Sequence, residues 1–246
     1  MTQYAFGAGS LYTIPSGTTP SPSQFGAVQQ IGVDFSANTV NLFGQYQFPL
    51  ASARGTVKID GSGKFAQLAG KMLNNIFFAN SSIATGDTLI SNNEAHSVPG
   101  SSTYTVTVSN TTGWIDLGVQ YASNGDPLMR VAPGAEATGK YSAAAGVYTF
   151  AVGDAGIAML FSYSYTSAGG ETLTINNALM GVAPAFTAVF NQVYNAQQHV
   201  LTLNKAIAAK FTLQSALEDF VKPDFTFGAF SDSSNVVGTW SFADAA

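Results

Sequence analysis

Cysteine is absent from all 246 residues, which removes disulfides, thiolate metal centres and cysteine nucleophiles together. Charge is nearly as scarce. Asp, Glu, Lys and Arg make up 9% of the chain, against about 25% in an ordinary soluble domain. Nine basic residues face 14 acidic ones, for a formal charge of −5, and no basic run exists. That balance argues against electrostatic capture of nucleic acid. No run approaches the roughly 20 apolar residues of a membrane-spanning helix. The start, MTQYAFGAGSLYTIPSG, lacks the positive charge and continuous apolar core of a secretory signal. The expectation is synthesis in the cytoplasm with no membrane insertion.

What is present is apolar and sheet-forming. Hydrophobic residues reach 46%, with 18 Phe and ten Tyr, so the chain can bury a core in one large β domain or two smaller ones. A surface this poor in charge suits a molecule covered by copies of itself, because free monomers use charge to stay apart. The alternative is a monomer kept soluble by Ser, Thr, Asn and Gln.

Strand patterns recur along the chain. Val147-Tyr148-Thr149-Phe150 is β-branched and aromatic, and Gly153-Asp154-Ala155-Gly156 supplies a reversal. Met159, Phe161, Tyr163 and Tyr165 then share one strand face, opposite Leu160, Ser162 and Ser164. Further strands are expected over 27–35, 39–48, 55–59, 104–108, 113–121, 127–131, 186–190, 200–203, 211–213, 224–230 and 236–242. One flanking α-helix is expected at about 62–78. There Phe65, Leu68, Met72, Leu73 and Ile76 recur at helical spacing, and Ser62 can cap the start. Residues 79–102 read as mainly loop. Residues 1–25, rich in Gly, Pro, Ser and Thr but carrying Tyr4, Phe6, Leu11, Tyr12 and Phe25, read as an N-terminal arm lying on a surface.

No chemistry is proposed by this pattern: no catalytic, cofactor-binding or metal-ligating residue is assigned. His96 and His199 are remote from each other and outside any metal or catalytic motif. The carboxylates are scattered, and the adjacent pair Glu218-Asp219 fits helix capping and solvation. Gly61-Ser62-Gly63-Lys64 lacks the spacing of a phosphate-binding loop and reads as a turn with a helix cap. The aromatics could stack sugars in a binding module, although most alternate in strands.

The runs YTVTVSNTTGWIDLGVQYASNGDPLMRVA (104–132) and GKYSAAAGVYTFAVGDAGIAMLFSYSYT (139–166) resemble structural proteins of tailed bacteriophages. The C-terminal phrases NNALMGVAPAF, VLTLNKAIAAKFTL and EDFVKPDFTF extend the likeness, which is closest to the major tail tube proteins. That resemblance implies a mainly β fold, a β-sandwich or barrel with one flanking helix, whose copies form stacked rings around a hollow lumen that delivers phage DNA. The tube-like core would be residues 26–94 and 168–246, with 95–167 an inserted β subdomain and 1–25 and 80–102 candidate bridging arms. The implied partners are the chain itself, a tape measure protein and a tail terminator, with DNA passing unbound, and the implied location is the virion tail. Two alternatives stay open: a capsid decoration or head–tail connector protein, and, from another class, a carbohydrate-binding or hydrolytic β domain.

Overall fold

The computed structural model describes residues 4–17, 20–78 and 83–243. In chain order the strands are β1 (Ser10–Pro15), β2 (Ser23–Gln24), β3 (Val28–Phe43) and β4 (Pro49–Phe65). A single α-turn, α1 (Gly70–Leu73), runs into a π-turn at Asn74–Phe78. Then come β5 (Ala84–Ser97), β6 (Thr105–Thr107), β7 (Ile115–Tyr121), β8 (Met129–Arg130), β9 (Lys140–Ala144), β10 (Val147–Phe150) and β11 (Ala158–Thr172). The chain closes with β12 (Ala185–Tyr194), β13 (Gln197–Thr212), β14 (Asp224–Ala229) and β15 (Gly238–Ala243). The fold is mainly β with one short helix.

Two compact units divide the chain: Met1–Ile83 with Leu173–Ala246, and Ala84–Thr172. The first is an eight-stranded sheet in the order β2-β1-β12-β13-β14-β4-β3, with β15 also paired to β13. β13 holds this sheet together. One edge pairs with β12 along its length, while the other pairs with β15 over Gln198–Leu203 and with β14 over Ala206–Thr212. Leu11, Phe25, Phe65, Phe186, Leu201, Leu203, Phe225 and Phe227 fill one sheet face, and Met72 and Ile76 from the helical turns cover them.

The expected helix at 62–78 is corrected. Residues 62–65 complete β4, helical backbone begins only at Gly70, and the residue at its N-terminal boundary, Ala69, makes no side-chain cap bond. Ser62 is therefore a strand residue, paired with Thr226. The physical reason lies in the glycines. Gly61 and Gly63 face Phe227 and Phe225 across the β4–β14 ladder, and a Cβ on either would stand 2.0 Å and 2.6 Å from the opposing ring. Bare backbone there lets two aromatic rings lie flat on the neighbouring strand, so Gly61-Ser62-Gly63-Lys64 is a packing surface, not a turn.

The N-terminal segment is also more integrated than an arm. β1 pairs with β12 from Ser10 to Pro15, and Leu11 and Thr13 are buried. Residues 1–3 and 18–19 lie outside the described residues, as do 79–82.

The second unit contains a four-stranded sheet, β6-β10-β9-β8, and a three-stranded one, β5-β11-β7. Met159, Phe161 and Tyr163 are each fully buried, as their alternation predicts, together with Tyr148, Phe150 and Tyr141. The reversal near 153–156 is a 3-10 turn, Val152–Asp154, that carries the chain from one sheet to the other. The hairpin in this region is instead β9–β10, closed by Ala145 and Gly146 at φ 49° and 80°, the left-handed pair a tight two-residue turn requires. Within 79–102, expected to be mainly loop, β5 is a 14-residue strand along β11. Its polar side chains hid it: none of its residues is fully buried, and the strand is held to β11 by the ladder and by polar bonds. The unit thus runs from 84 to 172, beyond the 95–167 read from the sequence, and its two end residues are register partners, Ala84 opposite Thr172.

Candidate interaction surface

Reactive side chains in the second unit are occupied by the fold itself. Asp116 accepts hydrogen bonds from the hydroxyls of Tyr141 (2.8 Å) and Tyr148 (3.1 Å) and from the Gly118 amide (3.0 Å), with Arg130 at 3.5 Å. Burial, with the Asp116 carboxylate alongside, pushes both tyrosines above their ordinary range. Asp154, fully buried, accepts from Tyr121 (2.9 Å) and from the Gly139 amide. Burial and that carboxylate raise Tyr121 in turn.

Glu94, on β5, is the most heavily bonded acid. Burial pushes its carboxyl up, but hydrogen bonds from Tyr163, His96 (2.5 Å), and the hydroxyl (2.7 Å) and amide (2.9 Å) of Ser109 outweigh it and bring it to about 2. A carboxylate that accepts this many donors is a structural tie, not a general acid. His96 sits on β5 as part of that tie. His199 lies on β13, bonded to Gln192 (2.9 Å). The two histidines share no site. Among the described residues, no group of three His, Asp or Glu could hold a metal ion.

A polar recess of about 290 Å³ on the sheet of the first unit is lined by Gln30, Ser62, Lys64, Lys210, Thr212 and Asp224 among others. These are the outward-facing partners of the buried row, and they present ordinary solvated chemistry.

The distinctive surface is the β3–β4 hairpin. β14 covers β4 only over Ile59–Lys64. Beyond that point the two long strands pair with each other alone among the described residues. Residues 35–53 contain no Asp, Glu, Lys or Arg. They expose Val40 (62%), Leu42 (64%), Tyr46 (72%), Phe48 (82%) and Leu50 (68%). Sheet edges are normally blunted with charge, proline within the strand or cover, and an isolated two-stranded ribbon is marginal in water. Residues 35–48 and 50–53 have none of those protections; Pro49 opens β4, and charge returns only at Arg54 and Lys58.

Beside the hairpin base runs a row of half-exposed rings. Phe35 stacks on Trp240 at 6.0 Å, Trp240 on Phe242 at 5.3 Å, and His199 on Phe242 at 6.3 Å. β15 supplies two of these rings, and residues 238–242 pair with β13 on one edge only. Two further segments of this unit expose apolar side chains: Ile175, Leu179, Met180 and Val182 in one, Leu213, Leu217 and Phe220 in the other.

Charge separates the units. Residues 84–172 carry two basic side chains, Arg130 and Lys140, against seven acidic ones, a net −5; the first unit carries seven of each sign and is neutral.

The chain matches no protein-family model and no curated protein. Among the described residues, no helix is long and apolar enough to cross a membrane.

Sequence reasoning reached the apolar composition and strand at 39–43 and 55–59, but the strand expected over 39–48 ends at Phe43, residues 44–48 turn the hairpin, and β4 already begins at Pro49. The same reasoning missed the ring row, because Phe35 and Trp240 are brought together only by the sheet. The signal within reach was the absence of charge between Asp34 and Arg54.

Proposed function

We propose that this chain is a self-assembling structural subunit and, following its resemblance to tailed-phage proteins, the major tail tube protein of a virion, building stacked rings around a channel for DNA. The observation that carries the reading is the uncharged outer part of the β3–β4 hairpin, residues 35–53, which leaves its outer edges and its apolar side chains to solvent. A body that remained single would gain nothing from it and would risk aggregation. Neutrality of the first unit removes the Coulomb repulsion that keeps like molecules apart.

Assembly then requires a heterologous contact whose rotation closes, to make a ring, and a second contact along the axis, to stack rings. Phage DNA would pass without a dedicated site, and the other tail proteins, a tape measure and a tail terminator, would meet the ends and lumen of the stack. Negative-stain images and sedimentation across a concentration series test this. Rings or tubes are the expected result. Discrete trimers would redirect the reading to a capsid decoration protein. A monomer at every concentration would sink it.

A further inference from the structure

We propose that the β3–β4 hairpin of one copy docks on the ring row of another copy, the outer edge of β4 over residues 49–53 adding to the free edge of β15 over residues 238–242, with Phe48 and Leu50 packed against Trp240 and Phe242. The proposal rests on the self-assembly reading and names the contact that makes it.

Donor and acceptor match in three ways. Residues 49–53 of β4 and 238–242 of β15 each pair on one edge alone among the described residues, so pairing them satisfies backbone groups on each side. Both are uncharged, since β15 is Gly-Thr-Trp-Ser-Phe-Ala and the hairpin from 35 to 53 has no ionisable acid or base of Asp, Glu, Lys or Arg type, so neither loses a solvated charge on burial. Both present exposed apolar side chains: Trp240 at 48% and Phe242 at 52%, Phe48 at 82% and Leu50 at 68%.

Other occupants fit less well. The N-terminal segment is already engaged on its own β12, with Phe6 against Tyr194 at 5.9 Å and the Gly7 carbonyl accepting from Gln192 at 2.5 Å. The apolar loop around Leu217 and Phe220 carries Glu218, Asp219 and Lys222 and no strand of its own. Nor does a chain's own hairpin tip cover its own row, because Phe48 stays exposed while Phe35 at the base makes the stacking contact. Arm and acceptor are different patches of one surface. Their contact is therefore one-way, which generates rings or open stacks instead of closed pairs.

The cysteine-free chain allows a clean test. One population carries Ala51→Cys, Ser52→Cys or Ala53→Cys in turn, and a second, size-tagged population carries Ser241→Cys. The two are mixed, assembled and oxidised. A disulfide needs Cα atoms about 4.4–6.8 Å apart, so at least one of the three mixtures should give the mixed disulfide in clear excess over both like-with-like products. Assembled polymer with no mixed disulfide at any of the three positions overturns this contact and leaves the self-assembly reading standing. A chain that never assembles overturns both. Independently, Phe48→Ser should raise the concentration for half-assembly by more than about tenfold, as loss of a central aromatic anchor does, with an unchanged melting temperature. Phe48 is the safer variant, since Trp240→Ser also removes contacts within one chain. An unchanged assembly concentration for Phe48→Ser also overturns the contact.

Discussion

Asp116 shows how one side chain can set the stability of a whole unit. It receives two tyrosine hydroxyls from β9 and β10 and an amide of its own strand, while Arg130 balances its charge. Asp116→Ala leaves both hydroxyls in the core without an acceptor, and the expected loss is about 3–5 kcal/mol in urea denaturation. Asp116→Asn keeps one acceptor and should cost distinctly less. Glu94 adds a pH dependence. Its carboxyl ordinarily titrates near 4.5 and is held at about 2 in the folded chain. A depressed folded value means the unfolded state binds the proton first. Its stabilisation is therefore complete above the ordinary value and is lost as pH falls through the window between 4.5 and about 2. Thermal melts between pH 6 and 2.5 should decline more steeply for the native chain than for Glu94→Gln (both pH limits are roughly the span of the linkage). Parallel declines in the two proteins would remove Glu94 as the cause.

Strand β4 is where local pattern and three-dimensional packing part company. Gly61 and Gly63 are sites for the rings of Phe227 and Phe225, so Gly61→Val should destabilise the first unit by about 1–3 kcal/mol through overpacking. In a double-mutant cycle, Phe227→Ala should recover part of that loss, since it empties the space the new side chain needs. Additive losses would show that the ring and the glycine are not coupled. The same strand shows what was readable and what was not. Alternating runs with a fully apolar face, such as Met159, Phe161 and Tyr163, declare themselves, because every second residue is buried. The apolar spacing from Phe65 to Ile76 imitates a helix, yet it joins a strand end to a short helical turn that bury residues in the same core. β5 is silent for the opposite reason: Asn92, Asn93 and Glu94 carry polar bonds across the sheet where apolar residues would have revealed it. The interaction surface was half legible. Its lack of charge is written in the sequence, while the row of Phe35, Trp240 and Phe242 depends on strand order that no local pattern encodes.

Two units of different electrostatic character share this chain, and that difference has consequences for assembly. The net −5 resides in residues 84–172, while the unit bearing the hairpin is neutral. In a polymer every copy brings another negatively charged unit, and their mutual repulsion acts over about a Debye length, roughly 10 Å at 0.1 M salt. Raising salt should therefore lower the concentration at which the full chain assembles. Because Ala84 and Thr172 are register partners at the ends of β5 and β11, the charged unit can be excised and its ends bridged by a short Gly-Ser linker with little strain on the remaining sheet. The excised chain should still fold, since the buried cluster of Phe25, Phe65, Phe186 and Phe225 lies wholly outside the deleted residues. It should also assemble at an unchanged concentration across the salt series, because the body that remains has no net charge to screen. Light scattering on both proteins at low and high salt checks the argument. Equal salt responses would place the charge effect elsewhere, and loss of assembly on excision would show that residues 84–172 contribute contacts of their own.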